Sequence, residues 1–189
     1  MDARELFYAV QRGSHAEYVV FFEHTFEGPI VKHSIGKARQ LHYRVVFLPQ
    51  ELVQQMPFDE YPRVRIDGEI SDVPVHGAWM PSGDQRYYFM VSPSVLKAAQ
   101  LSLGDTVEMR FSIADQDYVE VPDTLAEWLA AHSEAQSIWG QLSPGKQRAL
   151  AHHVANAKRH ETQQRRLADV SRALEKYDGD LRTMMRAGK

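Results

Sequence analysis

The sequence has no cysteine among its 189 residues, and this absence removes several kinds of chemistry. A chain without cysteine has no disulfide scaffold, no thiolate zinc site, no iron–sulfur cluster and no cysteine nucleophile. Long apolar runs are also missing, since no wholly apolar run exceeds the five residues of 18–22, and a membrane-spanning helix needs about 20. The N-terminus has neither a basic start nor an apolar stretch behind it, so no secretory signal is visible. We expect a cytoplasmic protein without a membrane span.

The composition is that of a folded globular protein. Hydrophobic residues make up 43% of the chain and charged residues 25%, which is too apolar and too mixed in charge for a disordered chain. A chain of this length buries roughly 70% of its extended surface on folding. That is enough for one good core and an additional, smaller module.

Charge is unevenly distributed although the net charge is only −3. Residues 1–139 contain 11 Lys+Arg and 20 Asp+Glu, a net charge of −9, whereas residues 140–189 contain 11 and 5, a net charge of +6. Such a split indicates two modules with different partners. Acidic loops on one module and a solvated helix face on the other would give the same sums, so both interpretations stay open.

The hydrophobic pattern changes near residue 121. Before it, short runs rich in Val, Ile, Tyr and Phe alternate with polar residues, as in Thr106 to Ile113, and this predicts strands with one buried face. After it, apolar residues recur at helical spacing, and Ser143-Pro144 combines a hydroxyl cap with a proline suited to the first helical turn. We therefore predict a β domain at residues 16–121 and a helical domain at residues 122–189.

One unit of the β-rich part occurs twice. A strand ends at a proline, a short helical turn and a loop follow, and a second strand starts near Val64, 15 residues after Pro49, and near Val107, 14 residues after Pro93. Proline suits this junction because it cannot donate into a continuing ladder but presets φ for a helical turn. Two such units favour a closed or half-closed barrel with short helices over its ends. Chance similarity of two strand–turn–strand segments is the alternative.

Several segments resemble known families. The stretch from Pro93 through Leu103-Gly104-Asp105-Thr106-Val107 resembles the swapped-hairpin unit of AbrB-like transcription factors. From about residue 40 to residue 175, the chain is more similar to the bacteriocin-protection, YdeI/OmpD-associated family. The most specific segment is 157–166, Ala-Lys-Arg-His-Glu-Thr-Gln-Gln-Arg-Arg, which resembles the family signature Ala-Lys-x-x-Glu-Thr-Arg-x-x-Arg. Gln163 stands where the family usually has arginine, and His160 stands where proline is frequent.

The resemblance implies an α+β protein, with a double-split, AbrB-like β-barrel and short capping helices followed by a small all-α domain. It also implies a role in bacterial envelope stress or in resistance to bacteriocins and cationic peptides, through a binding chemistry that the resemblance does not define. AbrB-like barrels form by hairpin exchange between two chains, whereas the internal repeat here can supply both halves. We therefore expect a monomeric barrel rather than a swapped dimer.

The polar segment 158–166 is the first candidate site. In helical geometry Lys158, Glu161, Thr162 and Arg165 form one stripe, with Arg166 beside it, and Glu161 and Arg165 form a favourable i, i+4 pair. One interpretation is a surface that docks a carboxylate, a phosphate or an acidic partner through arginine forks. The other is an internal network that ties the last helix to the acidic β domain. The segment is either a break between two helices or a polar part of one long helix.

Three residues around the loop 81–84 form the second candidate site. Trp79, Arg86 and Tyr87 bracket this loop and could line a small-ligand pocket at the barrel mouth. A ring as large as that of Trp79 is more often part of a core.

No motif in the sequence names a reaction, a metal or a cofactor. The serines lack a nucleophile-elbow context, the glycines form no phosphate-binding loop, and the pairs among His152, His153 and His160 lack metal-ligand spacing. We therefore predict no catalytic activity, no cofactor and no metal site.

Three functional hypotheses follow. The first is a binding or scaffold protein whose partner is an unknown protein or a small acidic ligand. The second is an AbrB-like DNA-binding regulator, which the acidic β domain disfavours because duplex phosphates require a basic face; the helices after residue 143 would then contact DNA. The third is an enzyme or small-ligand binder that uses the barrel-mouth pocket.

Overall fold

The computed structural model describes residues 21–35 and 41–187. These residues belong to two compact units, which divide after Asp115. The first unit is built on strands and the second on helices, so the predicted α+β class is confirmed. The elements of the first unit are β1 His24–Pro29, β2 Val31–Ile35, β3 Leu41–Phe47, α1 Gln50–Val53, β4 Val64–Ile70, β5 Val73–Pro81, β6 Tyr87–Met90, α2 Pro93–Ala98 and β7 Thr106–Ile113.

The strands of this first unit, the β unit, form one curled antiparallel sheet. Their order is β1-β7-β4-β5-β6-β3-β2. β1 and β2 lie at opposite ends of this order, yet Ile30 alone separates them in the chain, so the sheet curls until its ends meet. Ile30 is fully buried, and its N–H donates to Asp105 O at 2.9 Å while its carbonyl accepts from Gly104 N at 2.9 Å. The sheet is therefore a half-barrel whose two end strands, β1 and β2, are joined through Ile30.

The predicted internal repeat is confirmed in the pairing of the strands. The segments β3–α1–β4 and β6–α2–β7 are the two copies, and β3 pairs with β6 while β4 pairs with β7. Aligning Val64 with Val107 makes Gly68 equivalent to Phe111, and these two residues are directly paired. A Cβ atom on Gly68 would clash with the carbonyl oxygen of Arg110 and lie 2.7 Å from Phe111 Cβ, so the glycine allows the close approach of β4 and β7 where the two copies pair.

Local signals explain the short helices. Pro93 occupies the first turn of α2, and the Val95 N–H donates to the Ser92 side chain at 3.3 Å. Pro49 precedes α1 and its carbonyl accepts from Leu52 N at 3.0 Å. In both copies proline thus ends the ladder and starts a helical turn, as the sequence predicts.

Aromatic rings fill the core of the β unit. Trp79 is fully buried, and its ring centroid lies 5.4 Å from that of Phe111, 5.8 Å from that of Phe89 and 6.1 Å from that of Phe26. Strands β4 and β7 alternate buried and more accessible residues along their length, which is the period-2 pattern read from the sequence.

The second unit, the helical unit, contains α3 Asp123–Ala131, α4 Ser133–Gln141, α5 Pro144–Ala155, α6 His160–Tyr177 and α7 Leu181–Ala187. Its separate core is built around Leu125, Leu150, Val154, Val170 and Leu174. Val119 and Val121, which the sequence pattern groups with the strands, pack against this core. None of the described helices combines the length and the apolar composition that a membrane crossing requires.

The unit boundary changes the meaning of the charge asymmetry. Residues 1–115 contain 11 Lys+Arg and 15 Asp+Glu, a net charge of −4, and residues 116–189 contain 11 and 10, a net charge of +1. The five carboxylates between residues 117 and 134 belong to the helical unit rather than to the β unit. Opposed charge on the two units is therefore much weaker than a division at residue 139 indicates.

Candidate functional site

The polar segment 158–166 is divided by the start of a helix. Helix α6 begins at His160, and Arg159 before it is extended at φ −111° and ψ 140°. Lys158 therefore lies in the connection between α5 and α6, and its expected place on a helical stripe with Glu161 and Arg165 is wrong. The connection arises because α5 ends at Ala155, where the Asn156 side chain donates to His152 O at 2.9 Å. The structure therefore has a break between two helices here, rather than one long helix.

Arg166 has a packing role within the helical unit. Its Nη1 donates to the carbonyl oxygen of His153 at 2.5 Å. His153 in turn lies with Nε2 3.1 Å from Asp169 Oδ2, and both side chains are largely shielded from solvent. Arg166 and Asp169 on α6 thus hold the last turn of α5, so Arg166 is turned away from the surface that the sequence assigns to it.

The remaining predicted residues lie at the surface or near it. Glu161 and Arg165 are exposed, Thr162 is half-buried, and the expected ion pair between Glu161 and Arg165 is not formed. Further along α6, Arg172 and Lys176 are also exposed. Residues seven and four positions apart share a helix face, so Arg165, Arg172 and Lys176 form one row, the α6 cation stripe. No described carboxylate forms an ion pair with any of the three.

The three residues predicted at the barrel mouth make different contacts. Trp79 lies in the core, and its Nε1 has no hydrogen-bond partner among the described residues. Tyr87 stacks on Phe58 with ring centroids 3.5 Å apart and an angle of 9° between the planes. Among the described residues, the three side chains therefore lie in three different surroundings, and the barrel-mouth pocket stays a prediction.

Arg86 is held by its own turn. Its Nε donates to Asp84 Oδ2 at 2.7 Å and its Nη2 lies 2.6 Å from the same oxygen. The hydrogen bonds from Arg86 and from Ser82 hold the pKa of Asp84 well below its usual range. The guanidinium also lies 4.3 Å from the centre of the Phe47 ring. Arg86 is thus occupied by an intramolecular carboxylate and an aromatic face.

A second cationic site, which the sequence does not predict, lies across β2 and β3. Lys32 and Arg44 are directly opposite each other in the antiparallel register, and Ser34 faces His42 one pair further on. Lys32, His42, Arg44 and Leu103 line a depression of about 300 Å³ together with Tyr43. A wider, shallower depression of about 610 Å³ shares Arg44 and Leu103 and adds the stem of Lys97 and the leucines 96 and 101. We call the continuous surface formed by these depressions the basic groove.

The cations of the basic groove are not neutralised. Like charges directly opposite in an antiparallel pair destabilise the sheet. No carboxylate lines either depression, and within the described part of the chain Lys32, Arg44 and Lys97 form no ion pair. The unit that carries them has an excess of acidic residues, so carboxylates are available elsewhere on the same unit.

A contrasting cluster lies on β4 and β7, where charges are compensated. The Arg110 guanidinium pairs with Glu69 directly opposite it and with Asp72 in the adjoining turn. Burial is the largest influence on Glu69 and raises its pKa above the ordinary 4.5, although Arg110 opposes this shift. The β unit thus balances an arginine with two carboxylates at one place and leaves three cations without carboxylates at another.

The basic groove has no signal in the linear sequence. Lys32, Arg44 and Lys97 are far apart in the chain, and each is an ordinary solvent-facing residue of its own segment. Only the register of β2 on β3 and the position of α2 bring them together. Among residues 21–35 and 41–187, no group of three or more His, Asp or Glu side chains is arranged to hold a metal ion.

Family comparisons match both units. Residues 118–176 match the family described as bacteriocin-protection, YdeI or OmpD-associated, and residues 26–111 match a domain of unknown function, DUF1905. The helical unit is thus similar to the bacteriocin-protection, YdeI/OmpD-associated family, as the resemblance of segment 157–166 implies. No curated protein matches the chain. The α6 cation stripe lies within the matched helical segment, and the basic groove lies within the matched β segment.

Proposed function

We propose that this protein is a cytoplasmic, non-catalytic binding or scaffold protein that contributes to resistance against bacteriocins or cationic peptides. The family description supplies the biological setting. Arg86 is held by Asp84 and Tyr87 stacks on Phe58, and these intramolecular contacts favour a binding role over the enzyme alternative.

The α6 cation stripe carries the proposal. Arg165, Arg172 and Lys176 are exposed on one face of the longest described helix, without ion pairs to described carboxylates. Arginine forks bind carboxylates and phosphates in bidentate geometry, and two of them with a lysine on one helix face suit an anionic surface. The partner that we propose for this stripe is a protein with an acidic face.

A deletion strain of the source bacterium tests this function. We expect that the wild-type gene restores survival in a cationic antimicrobial peptide and that the double variant R165Q/R172Q does not. The matched control R182Q/R186Q removes two exposed arginines from α7 and should restore survival fully. Equal rescue by both double variants would refute a function of the stripe.

The regulator hypothesis is favoured by the same stripe, since a helix with a basic face is also suited to duplex phosphates. A gel-shift titration of the full chain with duplex DNA across a range of salt concentrations separates the two. Binding that weakens steeply with salt and is lost in R165Q/R172Q would support the regulator. Absence of binding at low salt would leave the acidic protein as the partner class.

A further inference from the structure

We propose that the basic groove of the β unit binds a short acidic peptide segment that carries one apolar anchor side chain. This inference goes beyond the proposed function, because the groove and the α6 cation stripe lie in different units of the chain. A chain with two such surfaces can hold two partners, which is what a scaffold does.

The arrangement of the cations indicates an anionic ligand. Lys32 and Arg44 face each other across the β2–β3 ladder, and Lys97 reaches the same groove from α2. The fold bears the repulsion between Lys32 and Arg44 without a described carboxylate to relieve it. At Arg110 the same sheet pairs a cation with carboxylates, whereas at Lys32 and Arg44 it places two cations opposite each other. Such a local departure from favourable charge pairing is typical of a surface that binds a partner.

The groove also has an apolar side. Leu103 is 53% exposed and lines both depressions. Pro93 and Leu101 continue this lining along the wider depression. A ligand that carried only charge would leave the leucine in water, whereas a segment with one leucine-like side chain among its carboxylates would cover it.

The surroundings favour a short peptide over nucleic acid. Binding of a duplex requires a continuous basic face, and this unit has a net charge of −4 over residues 1–115. The Asp105 carboxylate, which accepts from Ser102 N at 2.7 Å, places a negative charge two residues from Leu103. Binding of single strands relies on stacking against several aromatic rings, and Tyr43 is the one aromatic residue that lines the groove.

Fluorescence anisotropy with a labelled synthetic peptide, Asp-Glu-Asp-Leu-Glu-Asp, tests the inference on the full chain. We expect saturable binding at low salt that is about tenfold weaker in K97E and in K32E, since a charge-assisted hydrogen bond contributes roughly that factor. A peptide with serine in place of leucine should also bind more weakly. R182Q, which removes an exposed arginine of α7 outside both proposed surfaces, should bind the peptide as wild type does.

K32E also distinguishes loss of binding from loss of folding. It places a carboxylate opposite Arg44, so the fold should be retained while binding falls, and a thermal melt of the same sample checks this. No saturable binding, or equal binding by wild type, K32E and K97E, would overturn the inference. Tighter binding of a DNA oligonucleotide that K97E abolishes would also overturn it, by assigning the groove to nucleic acid. Loss of stripe function in R165Q/R172Q with intact peptide binding would separate the two surfaces.

Discussion

At the scale of single residues, the pair Lys32 and Arg44 has the clearest energetic consequence. Cross-strand pairs of opposite charge contribute about 0.2–1 kcal/mol relative to neutral pairs, and like charges have the opposite sign. We therefore expect K32E to raise the free energy of unfolding by about 1 kcal/mol or less. Urea denaturation of wild type and variant measures this difference.

K97E serves as the control in that measurement, because Lys97 lies on α2 and has no cross-strand partner. Its free energy of unfolding should not exceed that of wild type, because a carboxylate in the last turn of α2 opposes the helix dipole by about 0.3–1 kcal/mol. A K32E protein that is less stable than wild type would show that Lys32 supports the fold in some other way.

The turn that holds Arg86 has a consequence for pH dependence. The pKa of Asp84 is lowered in the folded chain, so its ionised form stabilises the turn at every pH above the ordinary value of 3.8. That contribution is lost as the pH falls through the lowered pKa. We expect D84N to be less stable than wild type at neutral pH and the difference to shrink below pH 3.8.

Thermal melts of D84N and wild type over a series of pH values test this expectation. Asp59, which is exposed and lies outside the turn, offers the control variant D59N, whose difference from wild type should not depend on pH in the same way. A stability difference for D84N that is the same at pH 2 and pH 7 would contradict the role of the carboxylate charge.

At the scale of elements, Arg166 distinguishes packing from surface on α6. Its hydrogen bond to His153 O joins the end of α5 to the body of α6. A hydrogen bond to a charged group contributes about 1.5–3 kcal/mol, so R166M should destabilise the helical unit by about that amount. R165Q on the exposed face should change stability by less than about 0.5 kcal/mol.

Circular dichroism at 222 nm during thermal unfolding measures both variants. Equal melting curves for R166M and R165Q would show that Arg166 contributes no more to stability than Arg165 does. Lower stability of R166M with unchanged stability of R165Q would confirm the difference between the two arginines. Arg166 would then be a packing residue and Arg165 a surface residue of the same helix.

The sequence predicts elements better than it predicts surfaces. Local rules located the strand at Thr106–Ile113 and both proline junctions, because hydrophobic period and proline geometry act over a few residues. The basic groove depends on the register between β2 and β3, and register is a property of the assembled sheet. Arg166 differs from Arg165 by one position on the helix, and only the packing of α5 decides which of them is turned inward.

At the scale of the whole molecule, the two units have separate hydrophobic cores. Trp79 lies in the core of the β unit, while Trp128 and Trp139 pack against the core of the helical unit. Leu150 is fully buried in the helical core. Truncation of a buried leucine to alanine costs about 2–5 kcal/mol, so L150A should destabilise the helical unit and leave the β unit largely unchanged.

A chain with Trp128 and Trp139 replaced by phenylalanine makes this visible, since Trp79 is then the single tryptophan. In that background L150A should lower the temperature at which the signal at 222 nm is lost, while the transition of Trp79 fluorescence stays in place. Parallel shifts of both signals would show that the two cores unfold as one.

The internal repeat of the β unit has a consequence for how the protein can evolve. The positions that correspond to Arg44 and Lys97 in the other copy are occupied by Tyr88, which is buried, and Val53, which packs against the core. Closure of the sheet needs both copies, but the charged surface needs only one. One copy can therefore drift toward a new partner while its twin maintains the shared architecture, which is the freedom that a second gene copy gives to a genome.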